Sequence, residues 1–150
     1  MIPYIVVLFS HVLYGMVWID TSIVRRDIKR LIVIGGVSKF IQIGMMAGLL
    51  FPYTPVLSYC VPKVTLAIVG QVLNVSVYHK LGLTGVYYGN RFGLATPHVT
   101  SFPFNVVDNP QYMGCILTLT SIMCFYPYRE IVYLCSYWCA LYKVTGFIES

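Results

Sequence analysis

The chain has 150 residues, 58% of them hydrophobic and only 10% charged, where an ordinary soluble domain carries roughly 25% charged residues. With mean hydropathy at +0.76, there are too few charges to cover a water-facing globule, so a soluble enzyme, a disordered chain and a disulfide-stapled secreted domain are all excluded. Ten basic residues against five acidic ones leave +5, but the basic residues do not gather on a polar, aromatic-studded domain, and nucleic acid is not expected as a partner. The composition predicts an all-α integral membrane protein. Charge positions divide it into a bundle of about five transmembrane helices, with four helices plus a re-entrant hairpin as the alternative.

Ile2 to Ile19 carries no formal charge and, as a helix, would be about 27 Å long against a hydrocarbon core of ~30 Å. It lacks a basic leader and a clear small-residue cleavage site, so a retained first span is expected rather than a signal peptide. Arg25, Arg26, Lys29 and Arg30 follow as a topology signal. Leu31 to Leu50 is the second span; Lys39 interrupts it, either facing a partner helix or marking a functional depth. Pro52 to Pro55 makes a turn, and a third span is expected from about Val56 to Tyr78, with Lys63 snorkelling near its start. Tyr112 to Tyr126 and Ile131 to Phe147 are the last two apolar runs. The first of them, as a helix, is only about 22 Å long, which is marginal for a perpendicular span.

Between them, His79 to Pro110 reads differently. Gly82, Gly85, Gly89 and Gly93 recur at intervals that would give a helix one bare face, suited to a neighbouring helix or a flat ligand. Pro97, Pro103, Lys80, Arg91, His98 and Asp108 make the segment unfit for lipid, because its free amides would find no water there. With the basic loop cytosolic, the amino terminus is lumenal, and this segment and the carboxyl end both return to the cytosol. Asn109-Pro110 should start a helix, capped by Asp108 or Asn109; its amino terminus is equally a carboxylate or phosphate site. Glu149 is either a terminal charge or a ligand to hydroxyl or ammonium groups. The five cysteines read as small buried hydrophobes, and His11, His79 and His98 are too scattered for a metal site, so no metal is expected.

Leu81-Gly82-Leu83-Thr84-Gly85-Val86-Tyr87-Tyr88-Gly89-Asn90-Arg91-Phe92-Gly93, then Val99-Thr100-Ser101-Phe102-Pro103-Phe104 and Asp108-Asn109-Pro110-Gln111-Tyr112-Met113-Gly114, resemble the phospholipid N-methyltransferases in order and spacing. The likeness covers more than half of the chain, from Gly70 to Ser150, and is greatest to the plant-type branch. Isoprenylcysteine carboxyl methyltransferases share an Asn/His-Pro-x-Tyr-x-Gly pattern, but Phe102-Pro103-Phe104 and the glycine-rich stretch favour the phospholipid enzymes; a non-catalytic relative is the other alternative.

The resemblance implies a single membrane methyltransferase domain over residues 1–150, with S-adenosylmethionine as cofactor and phospholipid as substrate. Phosphatidyl-N-methylethanolamine and its dimethyl form would be carried to phosphatidylcholine on the cytosolic face of the endoplasmic reticulum. The family's Gly-x-Gly contact falls on Ile68-Val69-Gly70, with only the last glycine kept, and its Glu-Glu contact on Glu149-Ser150. The amine must be neutral to attack. Glu149, Asp108, His79 and Tyr112 are candidates to take its proton, with Asp108 and Tyr112 as the expected catalytic pocket residues and Lys80 and Arg91 for the lipid phosphate.

Overall fold

A computed structural model describes residues 1–149. Among these, five α-helices follow one another: α1 (Ile2–Ile19), α2 (Ile28–Leu50), α3 (Cys60–Val86), α4 (Pro110–Phe125) and α5 (Arg129–Ile148). All but α4 are long and apolar enough to cross a membrane. Large side chains such as Ile2, Phe40, Ile43 and Phe147 are mostly exposed, the pattern of helices whose outer faces meet lipid rather than water.

The joints follow from local chemistry. Asp20 ends α1 and accepts hydrogen bonds from the Ser22 backbone N–H (2.8 Å) and hydroxyl (2.7 Å), which hold its carboxyl below the usual range. Arg25 and Arg26 then take left-handed backbone. Asp27 caps α2 by accepting from the Lys29 N–H at 2.9 Å. At the opposite end, Lys63 Nζ donates to the Val56 carbonyl at 2.7 Å, and the Tyr128 hydroxyl donates to the Thr54 carbonyl at 3.0 Å, fixing the α2–α3 loop against the α4–α5 turn.

Helices α3 and α4 approach most closely at two glycines. A Cβ on Gly70 would stand 2.6 Å from the Gly114 carbonyl oxygen, and one on Gly114 would stand 2.5 Å from that of Gly70. This is small-residue packing, which substitutes for the hydrophobic drive that lipid removes. The larger core, Val7, Met46, Leu119, Ile131, Leu134, Cys135, Trp138 and Tyr142, joins α1, α2, α4 and α5. A second cluster, Val17, Val24, Leu31 and Tyr87, sits where α1 and α2 meet the end of α3. Between α1 and α2, Gln42 Nε2 donates to Ser10 Oγ at 2.6 Å.

Three expectations change. The third helix begins at Cys60 rather than Val56 and runs on past Tyr78 to Val86, because the turn before it is held by Lys63. The four glycines do not share a helical face: Gly82 breaks α3 with φ 63 and ψ 177, and a 3₁₀ turn covers Gly89–Phe92. Not every cysteine is buried either, since Cys60 and Cys124 are exposed and all five are free thiols.

Candidate active site

The chain returns from α3 in a tight path. Tyr88 adopts φ 62 and ψ 39, a left-handed conformation that bulky side chains rarely take and that costs of order 1–3 kcal/mol. What that conformation provides is the position of its hydroxyl. Tyr88 Oη donates to Glu149 Oε1, Tyr112 Oη donates to Glu149 Oε2 at 2.6 Å, and the two phenolic oxygens lie 3.3 Å apart. A carboxylate at the end of α5 is thus gripped by one phenol from the α3 exit and one from the first turn of α4. Burial raises the Glu149 carboxyl above its ordinary value, and the donors from Tyr112 and Tyr88 pull it partly back.

Above this triad the rings continue. Trp18 meets Tyr88 edge-on at 5.4 Å, and Tyr14 does so at 6.0 Å. The Arg91 guanidinium lies over the Trp18 ring at 4.2 Å. Tyr112 leads inward to Tyr142, ring to ring at 5.5 Å. There the Lys39 ammonium donates to Tyr142 Oη at 2.7 Å. Tyr88, Tyr112, Tyr142 and Lys39 border a cavity of about 30 Å³, lined also by His11, Tyr14, Tyr78 and Tyr87; Glu149, Trp18 and Arg91 are not in its lining. That space holds one or two water-sized groups; anything larger enters by displacing rings at its wall.

The expected site residues separate into two sets. Tyr112 and Glu149 come together. Asp108 lies beside the start of α4 but is exposed, and although Asn109 holds the cap position, neither it nor Asp108 makes the expected capping bond. Ile68 and Val69 are exposed on the outer surface of α3, and Gly70 is taken up by its contact with Gly114. None of these three lines the cavity, because α3 turns that face toward α4 and lipid. Ser150 lies outside the described residues. His79, Lys80 and His98 are exposed.

Sequence reasoning missed His11 and Tyr142 and left Lys39 open. Tyr142 is one more tyrosine in a tyrosine-rich helix, and His11 gains meaning only from neighbours more than a hundred residues away. The one signal available was the charge at Lys39, placed where lipid would forbid it.

The model of the family described as phospholipid methyltransferase matches residues 61–150. The chain belongs to that family. Among curated relatives, phosphatidyl-N-methylethanolamine N-methyltransferase of Arabidopsis thaliana is 43% identical over 81 residues, 54% of this chain and 47% of the relative. The protein of the same name from Saccharomyces cerevisiae is 52% identical over 54 residues, 35% of this chain and 26% of its own. Phosphatidylethanolamine N-methyltransferase of Rattus norvegicus is 48% identical over 46 residues, 30% and 23% respectively. The matched part of this chain therefore spans at most about half the length of these relatives. No solved structure matches it significantly. Family membership implies a methyl donor; the family match begins within α3, so α1 and α2, which carry His11 and Lys39, lie outside it.

Proposed function

We propose that the chain transfers methyl groups from S-adenosylmethionine to phosphatidyl-N-methylethanolamine and then to the dimethyl lipid, yielding phosphatidylcholine. In this reading residues 1–150 act as one methyltransferase domain in the endoplasmic reticulum membrane, amino terminus lumenal, active site and carboxyl end cytosolic. The orientation follows from the Arg25–Arg30 basic loop, which lies at the same end of the helices as Glu149.

One observation carries the reading: a half-buried carboxylate held by two phenols, Tyr88 and Tyr112, that themselves line an aromatic cavity. The donor set fits the cofactor's chemistry. A carboxylate accepts from ribose hydroxyls or an ammonium, and ring faces attract a cation such as a sulfonium or a methylated amine. When bound, S-adenosylmethionine supplies a methyl group activated on a sulfonium.

The protein's own contribution is position and charge. Tyr88 and Tyr112 fix both oxygens of Glu149, so the carboxylate faces its ligand without reorganising. The rings leave the cavity room for no more than one or two waters. Tyr112, with its hydroxyl on Glu149, is the inner candidate to relay the amine's proton, and Asp108 the outer one, on the water side. Arg91, exposed and stacked on Trp18, is placed to meet the lipid phosphate at the interface.

The test is transfer of labelled methyl from S-adenosylmethionine by the purified chain in vesicles containing each of the three amine lipids in turn. Label in phosphatidylcholine is expected from the monomethyl and dimethyl lipids. Absence of label in any lipid, from protein shown to be folded, would overturn the proposal.

A further inference from the structure

The inner end of the cavity holds two groups that the proposed chemistry does not use. Lys39 stands eleven residues into α2, about 16 Å of helix rise and so near the middle of a bilayer. Its ammonium donates to Tyr142 Oη, and the Tyr142 ring lies 5.1 Å away. No carboxylate answers it: among the described residues the single ion pair is Arg30 with Asp27. A lysine at this depth with no carboxylate beside it is costly to charge and marks a ligand site.

His11 is the second group. Thr145 Oγ1 donates to the Leu141 carbonyl at 2.8 Å, so toward His11 it offers lone pairs. His11 Nδ1, 2.9 Å away, must then carry the ring proton, leaving Nε2 as an acceptor. That Nε2 is buried and has no hydrogen-bond partner, while the ring packs edge-on against Tyr142 at 4.6 Å. An unanswered cationic donor and an unanswered neutral acceptor therefore flank the same tyrosine, inside the same cavity.

We propose that Lys39 and His11 form the seat for the α-amino-acid end of the methyl donor, the carboxylate on Lys39 Nζ and the ammonium on His11 Nε2. The assignment rests on the proposed methyltransferase reading and names which part of the donor goes where. A lipid headgroup is the other candidate, its phosphate for Lys39 and its amine for His11 Nε2. The span decides between them. Tyr142 and Glu149 are seven residues apart on α5, about 10 Å of rise. A phosphate phosphorus and its amine nitrogen are four bonds apart, at most ~6 Å. The donor's carboxylate carbon and a ribose hydroxyl are eight bonds apart, up to ~12 Å, enough to reach from Lys39 to Glu149.

The experiment compares two soluble probes on the full chain in detergent: S-adenosylhomocysteine, and 5′-methylthioadenosine, the same nucleoside thioether without the amino-acid end. Lys39→Met is expected to weaken S-adenosylhomocysteine at least about tenfold and to leave 5′-methylthioadenosine within about twofold. Lys39→Arg should keep most of the affinity, and His11→Phe should repeat the selective loss. Because the unliganded ammonium is uncompensated, Lys39→Met without ligand should melt at the same temperature as wild type or higher. Equal loss of both probes, no loss of either from folded protein, or a lower melting temperature with unchanged affinity would each overturn the assignment. So would a selective loss of affinity for vesicles of phosphatidyl-N-methylethanolamine, which would give Lys39 to the phosphate. A wild-type chain that binds neither probe would instead overturn the methyltransferase reading, and this seat with it.

Discussion

Gly70→Ala separates packing from cofactor binding at a residue for which the family resemblance and the structure imply different roles. The added methyl would lie 2.6 Å from both the Gly114 carbonyl oxygen and Thr118 Oγ1, and 3.1 Å from the Thr118 amide nitrogen, where ordinary contact begins near 3.4 Å. Two of these are backbone atoms of a helix that packs on α3 and cannot rotate away. Separating α3 from α4 would also stretch the Gln71 Nε2 to Thr118 Oγ1 bond of 2.9 Å. Overpacking of this kind costs typically 1–3 kcal/mol, which for a chain of this size lowers the melting temperature by several degrees. Thermal unfolding in detergent, with donor affinity measured on the folded fraction, reads both quantities. The expected result is a clear loss of stability with S-adenosylhomocysteine affinity within about threefold of wild type, the remainder coming through Tyr112, two residues from Gly114. A Gly70→Ala protein that melts like wild type yet binds donor tenfold more weakly would refute the packing account and restore Gly70 as a direct contact.

Three further outcomes follow from the site. Tyr112→Phe and Tyr88→Phe each remove a donor from Glu149, whose carboxyl burial already pushes upward; since the carboxylate is the binding form, affinity should fall off at a higher pH than in wild type, and an unmoved acid limb in a titration of donor binding would count against the triad. Gly35→Ala would place a methyl 2.6 Å from the Tyr87 ring; it should cost about 1–3 kcal/mol of stability and weaken donor binding through the displaced cavity wall, both measurable in the same melt and binding assays. Arg91→Ala should raise the apparent KM for lipid several-fold while leaving donor affinity unchanged; the reverse pattern would remove Arg91 from the phosphate.

What the sequence made legible was what depends on composition and short spacing. The spans were visible because Arg25, Lys29, Lys63 and Arg129 punctuate apolar runs, and those runs lie within α1, α2, α4 and α5 apart from a residue at one edge. Glu149 was visible as a charge directly after a span, and Tyr112 through the resemblance to the phospholipid N-methyltransferases. The glycine series was misread because its spacing fits a helix only if the backbone stays helical, and Gly82 leaves that region. Asp108 or Asn109 was expected to cap α4 with its side chain; Asn109 takes the cap position, but its side chain makes no capping bond. Lys39, His11 and Tyr142 were opaque for a different reason. Their meaning lies in hydrogen bonds across 103 and 134 residues, a relation that periodicity along the chain does not carry.

The central claim is that Glu149 holds the methyl donor. Donor affinity of Glu149→Gln, set beside Glu130→Gln at the far end of α5, tests it most directly. Glu149→Gln keeps the shape and removes the charge, and should weaken S-adenosylhomocysteine by ten- to a hundredfold, about 1.4–2.8 kcal/mol, while Glu130→Gln binds as wild type. Equal affinity in the two variants would contradict the account.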